Sequence, residues 1–571
     1  MNKTLPVYPF DEERCIGTIS EVGPNYARAN LPEAALPAGK RHHGLRLGAG
    51  EVGELVIVEC GDVGVFGRLT SVKLPERERL TVEPRFGVER LAHPLGTIQL
   101  LATVPLKGGK VVAGISEYPR LGARVYSAHP ELVKWLAEAT QGSGDGSEGI
   151  TLNLASLAST DATQVNFTPE RLFGRHCAVL GATGGGKSWT LARLVDQAAR
   201  HNAKVILFDA TGEFHTLASG LRHVHIGRSV AQHDISPEMV VPYSELTEAD
   251  LSALFKPSGQ TQAPKLRAAM KSLKLAKLEP GLSSEGGILK ENQAKAPYDS
   301  AYRKHAHVIE GPKADFDISK LVPQIDRECV FPSGFAGGAL DTSKWGKAND
   351  ERSYCVTLIT RIEEILQSAD LACIFRPLGI ASIFDELVRF LGDGEERVLR
   401  IALRALPFAH NAREIVANAI GRHLLALARE GRFREQPLLV FLDEAHQFLD
   451  KTLGDENTRY PLDSFELIAK EGRKFCLNIC IATQRPRDIP EGVLSQMGTL
   501  IVHRLTNDRD REVVERASGE IDRSAAAFLP TLTEGQAVII GVDFPIPLTL
   551  QITRPSQEPD SRGPDYQKHW R

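Results

Sequence analysis

Eight consecutive residues, Gly181, Ala182, Thr183, Gly184, Gly185, Gly186, Lys187 and Ser188, fit the pattern GxxxxGK[ST], in which a glycine-rich turn aims backbone N–H groups at phosphate oxygens. In that chemistry Lys187 neutralises β- and γ-phosphate oxygens and the Ser188 hydroxyl ligates magnesium; Trp189 completes the stretch assigned to the cofactor. The competing reading is a glycine-rich turn that binds nothing. The apolar run HCAVLGA before the turn and the helical run WTLARLVDQAARHN after it favour phosphate binding, because a helix start adds its positive dipole end to the cradle.

Carboxylates are the second requirement of phosphoryl transfer. PLLVFLDEAHQF places Asp443 and Glu444 at the end of an apolar strand, where carboxylates of an α/β sheet face the ligand crevice. Asp443 is then a magnesium residue and Glu444 the one that orients or activates water; an N-capping Asp-Glu pair is the alternative. The letters DEAH alone assign no catalytic role to His446. CLNICIATQRP ends in Gln484, a candidate γ-phosphate sensor or a plain turn residue before Pro486. Asp209 and Glu213, in ILFDATGEF, are either crevice carboxylates or turn caps. Arg473, in IAKEGRKF, either complements a helix C-terminus with Lys470 and Lys474 or reaches a neighbouring subunit's γ-phosphate. KLRAAMKSLKLAKL is a basic amphipathic helix with Leu266, Met270, Leu273 and Ala276 in one stripe, read as a solvated face or a nucleic-acid contact.

These residues must be positioned by more than one core, since 571 residues with 42% apolar content exceed a single one. Short β-rich runs from Cys15 to about Ala128 (CIGTISEV, ELVIVECGD, VGVFGRLTSV, TIQLLATV, VVAGIS, ARVYSA) predict a small β-barrel or sandwich over 1–139. The Gly/Ser-rich stretch 140–149 reads as a linker. Alternating strands and helices then predict an α/β core, first part 150–244 and second part 436–555, around a mainly helical insertion over 245–435 in which VLRIALRALPF is strand-like and 279–350 is unassigned. Residues 556–571 read as an extended tail. The net charge of −4 excludes a generally basic coat but not a local basic channel. Eight scattered cysteines without CxxC pairs read as reduced core residues, and the lack of a long apolar run predicts a cytoplasmic protein without membrane spans.

RHCAVLGATGGGKS, ILFDATGEFH, LLVFLDEAHQF and EGRKF followed by CIATQRPRDIPEGVLSQMGTLIVHRLTN resemble the HerA group of hexameric DNA translocases, relatives of FtsK. The likeness is weak over about 279–350. It implies an α/β, RecA-like P-loop ATPase core behind a HAS-type barrel, in a homohexamer that moves double-stranded DNA using ATP and Mg2+. Carried onto this chain, Lys187, Ser188, Asp443, Glu444 and Gln484 serve one subunit's nucleotide, while Arg473 and Arg175 act on the neighbour's; the tail braces the adjacent subunit. The family's effector partners are a NurA-type nuclease in DNA end resection or, in bacterial antiphage systems, a sirtuin-type NAD-hydrolysing protein or another nuclease. The long insertion and mesophile-like composition favour the second setting. A scaffold that uses ATP only to regulate its partner remains the alternative.

Overall fold

The computed structural model describes residues 5–35, 40–43, 45–75, 93–107, 111–139, 149–158, 160–217, 220–228, 235–336, 339–376, 379–449, 451–453, 459–518, 523–561 and 566–570. The chain divides into two compact units, Met1–His201 with Asn478–Glu558 and Asn202–Leu477 with Pro559–Arg571.

The first unit opens with a closed antiparallel barrel, as the β-rich runs predict. Its strands are ordered Tyr26–Asn30, Cys15–Val22, Arg124–Ser127, Leu55–Cys60, Val63–Lys73 and Leu95–Pro105, and the last pairs back onto the first with Tyr26 opposite Gln99. Alternate residues, among them Ala27, Ala29, Val56, Val58, Leu69, Ile98 and Val125, fill one interior. Closure depends on Tyr26–Asn30, a strand absent from the predicted runs. The helix Pro130–Ala139 leans on the strand Thr160–Phe167, where Glu138 accepts the Asn166 N–H (3.0 Å) and Ala137 accepts from the Arg171 guanidinium. Of the predicted linker, 140–148 lie outside the described residues.

The same unit carries a sheet ordered Thr160–Phe167, Leu152–Leu157, Leu548–Ile552, Gln536–Gly541, Thr499–Val502, Cys177–Leu180 and Leu477–Thr483. The last three strands run parallel and the rest antiparallel. Cys177–Leu180 lies between two parallel neighbours with all four residues buried, which explains its unbroken apolar sequence.

The sheet of the second unit is wholly parallel, ordered Leu438–Leu442, Lys204–Asp209, Val398–Ala402, Leu221–Ile226 and Glu238–Met239. Val398–Ala402 is thus an inner strand of this sheet. That corrects the expectation of one insertion over 245–435: the stretch returns to the sheet at 398 before entering the helix Ala412–Arg429. The helices Glu248–Phe255, Gln262–Leu278, Lys295–Ile309, Leu321–Arg327 and Glu351–Gln367 precede that return. Thr247 starts the first through a reciprocal cap, its hydroxyl accepting the Asp250 N–H (3.1 Å) while the Asp250 carboxylate accepts the Thr247 N–H (2.8 Å). The stretch 279–350 is organised around a buried ion pair, Lys290 to Glu328 at 2.6 Å, whose carboxylate also accepts from Ser272 (2.6 Å) and Gln324 (2.9 Å).

The basic helix Gln262–Leu278 buries the predicted stripe, and Arg267 and Lys277 are exposed on its other side. Lys274 is buried against Glu248 (2.6 Å), Lys265 and Lys271 meet Glu351 and Glu310 (2.7 Å each), and Lys277 pairs with Asp315. Most of its charge is met by acids within the chain. The tail, expected to be extended, ends in the short helix Tyr566–His569; 562–565 and 571 lie outside the described residues.

Asp209 and Arg400, on adjacent strands of the second unit, are both fully buried and pair at 2.7 Å. Asp209 also accepts the N–H groups of Gly212 (2.7 Å) and Phe214 (3.1 Å), so it fixes the turn after its strand. Removing one partner of such a pair costs about 3–5 kcal/mol. Arg400→Met is expected to lower the denaturation midpoint of the purified protein well beyond the effect of Arg473→Ala, as followed by circular dichroism in urea.

Candidate active site

In the first unit, the phosphate loop leaves the buried strand Cys177–Leu180 and enters the helix Lys187–Ala199. Its backbone is gripped from both flanking strands: the Gly181 N–H donates to the Thr483 carbonyl (3.3 Å), and the Ala182 N–H to the Arg504 carbonyl (3.0 Å). Gly184 (φ 75°) and Gly186 (φ 106°) occupy the left-handed region, where a side chain is strained. A Cβ at Gly181 would lie 2.6 Å from the His503 Cβ, so this glycine is required by packing. These turns and the helix start form a cradle that fits a polyphosphate. Lys187 is buried and Ser188 half-buried at its floor.

His503, which the sequence does not single out, lies beneath the loop and is fully buried. Its Nδ1 is 2.8 Å from the Gln536 carbonyl, an obligate acceptor, so Nδ1 carries the hydrogen and Nε2 accepts from the Thr190 hydroxyl at 2.8 Å. Burial, with Lys187's charge adding to it, pushes the imidazole pKa down to about 4. The loop therefore rests on a neutral ring and gains no second cation from it.

Among the other predicted residues of this unit, Gln484 meets the loop directly, its side-chain carbonyl accepting from the Thr183 hydroxyl (2.5 Å). Trp189 is half-buried under the Arg554 guanidinium, 5.7 Å from its ring centroid. Arg175 pairs with Asp543 at 3.6 Å and is 44% exposed, so it stays near the surface.

In the second unit, Asp443 and Glu444 follow the strand Leu438–Leu442 and are both buried. Asp443 accepts from the Thr211 hydroxyl (3.3 Å), and its N–H donates to the Phe208 carbonyl (3.1 Å). Glu444 adopts φ 48°, a left-handed conformation unusual for a carboxylate residue and typical of strained functional positions. The short turn Ala445–Gln447 brings His446 Nδ1 to 3.2 Å from Glu444 Oε2, a contact invisible in the letters DEAH. Asp209 is committed to Arg400 and its own turn, and half-buried Glu213 starts the 3-10 turn Glu213–Thr216. Arg473 is exposed in the turn Gly472–Phe475, and its guanidinium has no hydrogen-bond or ion-pair partner among the described residues.

Residues 152–330 match the family model described as "Helicase HerA, central domain", and residues 425–539 match "Helicase HerA-like C-terminal". The chain belongs to the HerA/FtsK superfamily. It is an ATP-hydrolysing P-loop enzyme. The central-domain match runs to residue 330, further than the resemblance read from the sequence, which weakens from about 279. The probable DNA double-strand break repair helicase HerA of Methanocaldococcus jannaschii is 24% identical over 420 residues, covering 71% of this chain and 76% of that one. The DNA double-strand break repair helicase HerA of Sulfurisphaera tokodaii is 24% identical over 436 residues, covering 74% and 73%. Among solved structures, the plasmid coupling protein TrwB in complex with a non-hydrolysable ATP analogue aligns at 15% identity and a TM-score of 0.42 over 75% of this chain and 93% of that one. No helix among the described residues is long and apolar enough to cross a membrane.

His503 gives a pH signature. Its folded pKa lies below the ordinary value of about 6.5, so the unfolded chain binds the extra proton first and stability falls as pH drops from about 6.5 towards 4. Above 6.5 this residue adds no slope. His503→Asn, which keeps a donor and an acceptor, is expected to flatten that part of the stability–pH curve. His503→Ala is expected to raise the Kd for a fluorescent ATP analogue several-fold at pH 7.5, because Thr190 and the loop lose their support.

Proposed function

We propose that this chain is an ATP-driven motor that moves double-stranded DNA through a homohexameric ring and thereby powers or activates an effector protein. The observation that carries the reading is the phosphate loop held between parallel strands, in a chain whose central and C-terminal regions match the two HerA models in order. The printed names of the relatives, repair helicases of double-strand breaks, support duplex DNA as the track.

In this reading Gly181 to Ser188 bind the triphosphate, with Lys187 neutralising its outer oxygens and Trp189 flanking the site. Bound Mg2+ would be held by Ser188 and Asp443 and would supply charge neutralisation across the β- and γ-phosphates. Glu444 orients the attacking water, its carboxylate aimed by the left-handed turn and steadied by His446. Gln484, tied to Thr183 of the loop, senses the γ-phosphate. Arg473 reaches the nucleotide of the neighbouring subunit; its exposure without a partner for its guanidinium among the described residues supports a role in trans, whereas Arg175 is engaged with Asp543 and is the lesser candidate. The division into 1–139, 150–244, 436–555 and the tail 556–571 is retained, with the insertion shortened to about 245–397. The effector is a sirtuin-type NAD hydrolase or a nuclease in a cytoplasmic antiphage system. A nuclease-coupled repair motor is the second reading, favoured by the relatives' names.

Duplex DNA is expected to stimulate ATP hydrolysis by the assembled protein, and an assembled ring indifferent to DNA overturns the motor reading in favour of an ATP-regulated scaffold. Lys187→Ala and Glu444→Gln are expected to cut turnover by about 100-fold or more, the first with loss of nucleotide binding and the second without it. Mixing Arg473→Ala with Lys187→Ala subunits is expected to restore part of the hydrolysis at mixed interfaces. No recovery at any mixing ratio assigns Arg473 to its own subunit.

A further inference from the structure

The barrel region of the first unit gathers a side-chain cluster that phosphate chemistry does not use. Glu13 lies in the 3-10 turn Glu12–Arg14, His42 ends the short strand Lys40–His42, and His43 follows it. One ligand-type atom from each of Glu13, His42 and His43 lies within 4.8 Å of the others. Asp11 brings a second carboxylate. It caps the turn by accepting the Glu13 N–H (3.1 Å), and its Oδ2 is 3.0 Å from His42 Nε2, while Glu13 Oε2 is 3.7 Å from the same nitrogen. Two donors at zinc–ligand distance on a tetrahedral ion are about 3.4 Å apart, between these two values.

Two further features set the imidazoles. His42 is only 5% exposed, and Asp11 and Glu13 both approach its Nε2, so this nitrogen faces the cluster. His43 adopts φ 43°, left-handed for a residue with a Cβ, and its ring meets that of His42 edge-on at 4.3 Å. Consecutive residues of an extended strand point to opposite faces, so the strained turn is what brings the two imidazoles together.

The surrounding charge is suited to a dication. Two carboxylates face two imidazoles, which are neutral when they act as ligands. Arg14 is fully buried nearby, but its guanidinium is committed to the carbonyls of Tyr8, Pro9 and Ser127.

We propose that Glu13, His42 and His43 form a zinc-class divalent-metal site that pins the N-terminal turn to the strand Lys40–His42, with Asp11 holding the His42 ring beside it. Mixed imidazole and carboxylate donors select zinc-like ions over magnesium, so the site is chemically distinct from that of the phosphate loop.

The test uses the full, untagged chain, stripped with a chelator and titrated with Zn2+ in excess Mg2+ against a chromophoric competitor. Stoichiometric Zn2+ binding is expected, with a visible absorption band of tetrahedral type when Co2+ replaces Zn2+. The double variant Glu13→Gln/His43→Ala alters exposed side chains that the barrel core does not need. It is expected to weaken Zn2+ binding by more than about tenfold while its circular dichroism and basal ATP hydrolysis stay unchanged. His42→Ala is expected to do the same with some loss of thermal stability. A chain that binds no Zn2+, or a double variant that binds it as tightly as the parent, overturns the proposal and leaves an Asp11–His42 ion pair alone.

Discussion

A phosphate loop works only if its backbone N–H groups can be directed at the ligand, so its turns must be held by what surrounds them. In this chain the strand Cys177–Leu180 runs parallel to neighbours on both sides, and the carbonyls of Thr483 and Arg504 take the first N–H groups of the loop. His503 fills the space below, tied to Thr190 on the helix that follows and to Gln536 on the next strand. The antiparallel strands Gln536–Gly541 and Leu548–Ile552 extend that support. The first unit is therefore built outward from one strand and its turn.

The second unit solves a related problem by other means. Its parallel strands end in carboxylates, and buried carboxylates need partners or neutralisation. Asp209 is locked by Arg400 and by two N–H groups, which spends it on structure. Asp443 and Glu444, one strand away, make lighter contacts with Thr211 and His446, and Glu444 takes a strained backbone angle. Two carboxyl-ended strands in one sheet thus differ in their partners: Asp209 closes a turn with Arg400, whereas Asp443 meets Thr211 and Glu444 meets His446. The helices of 248–367 obey the same rule, since Lys274, Lys290 and their neighbours are met by acids within the chain.

The sequence by itself marked the phosphate loop, the carboxylate-ended strand and most of their scaffold. GATGGGKS between an apolar strand and a helix, and LLVFLDEA at a strand end, are local patterns whose meaning depends on a few adjacent residues, and both fold as read. The barrel was legible from its longer strands because these lie in β-rich runs broken by glycine and proline. Tyr26–Asn30 was not, since YARAN offers only two alanines to the interior and lacks β-branched residues; it is a strand because closure demands a partner for Leu95–Pro105.

Only the tertiary structure decided which of several plausible residues are engaged, because that depends on groups distant in the chain. Asp209 and Arg400 are 191 positions apart, Thr190 and His503 are 313 apart, and Asp11 and His42 are 31 apart. No local pattern marks His503, whose significance lies in being buried beside a lysine and fixed by two hydrogen bonds. The inner position of Val398–Ala402 was likewise hidden, because an apolar run states that a strand is buried but not between which neighbours it lies. Local spacing specifies chemistry, whereas the partners that hold or neutralise each group are assigned by long-range packing.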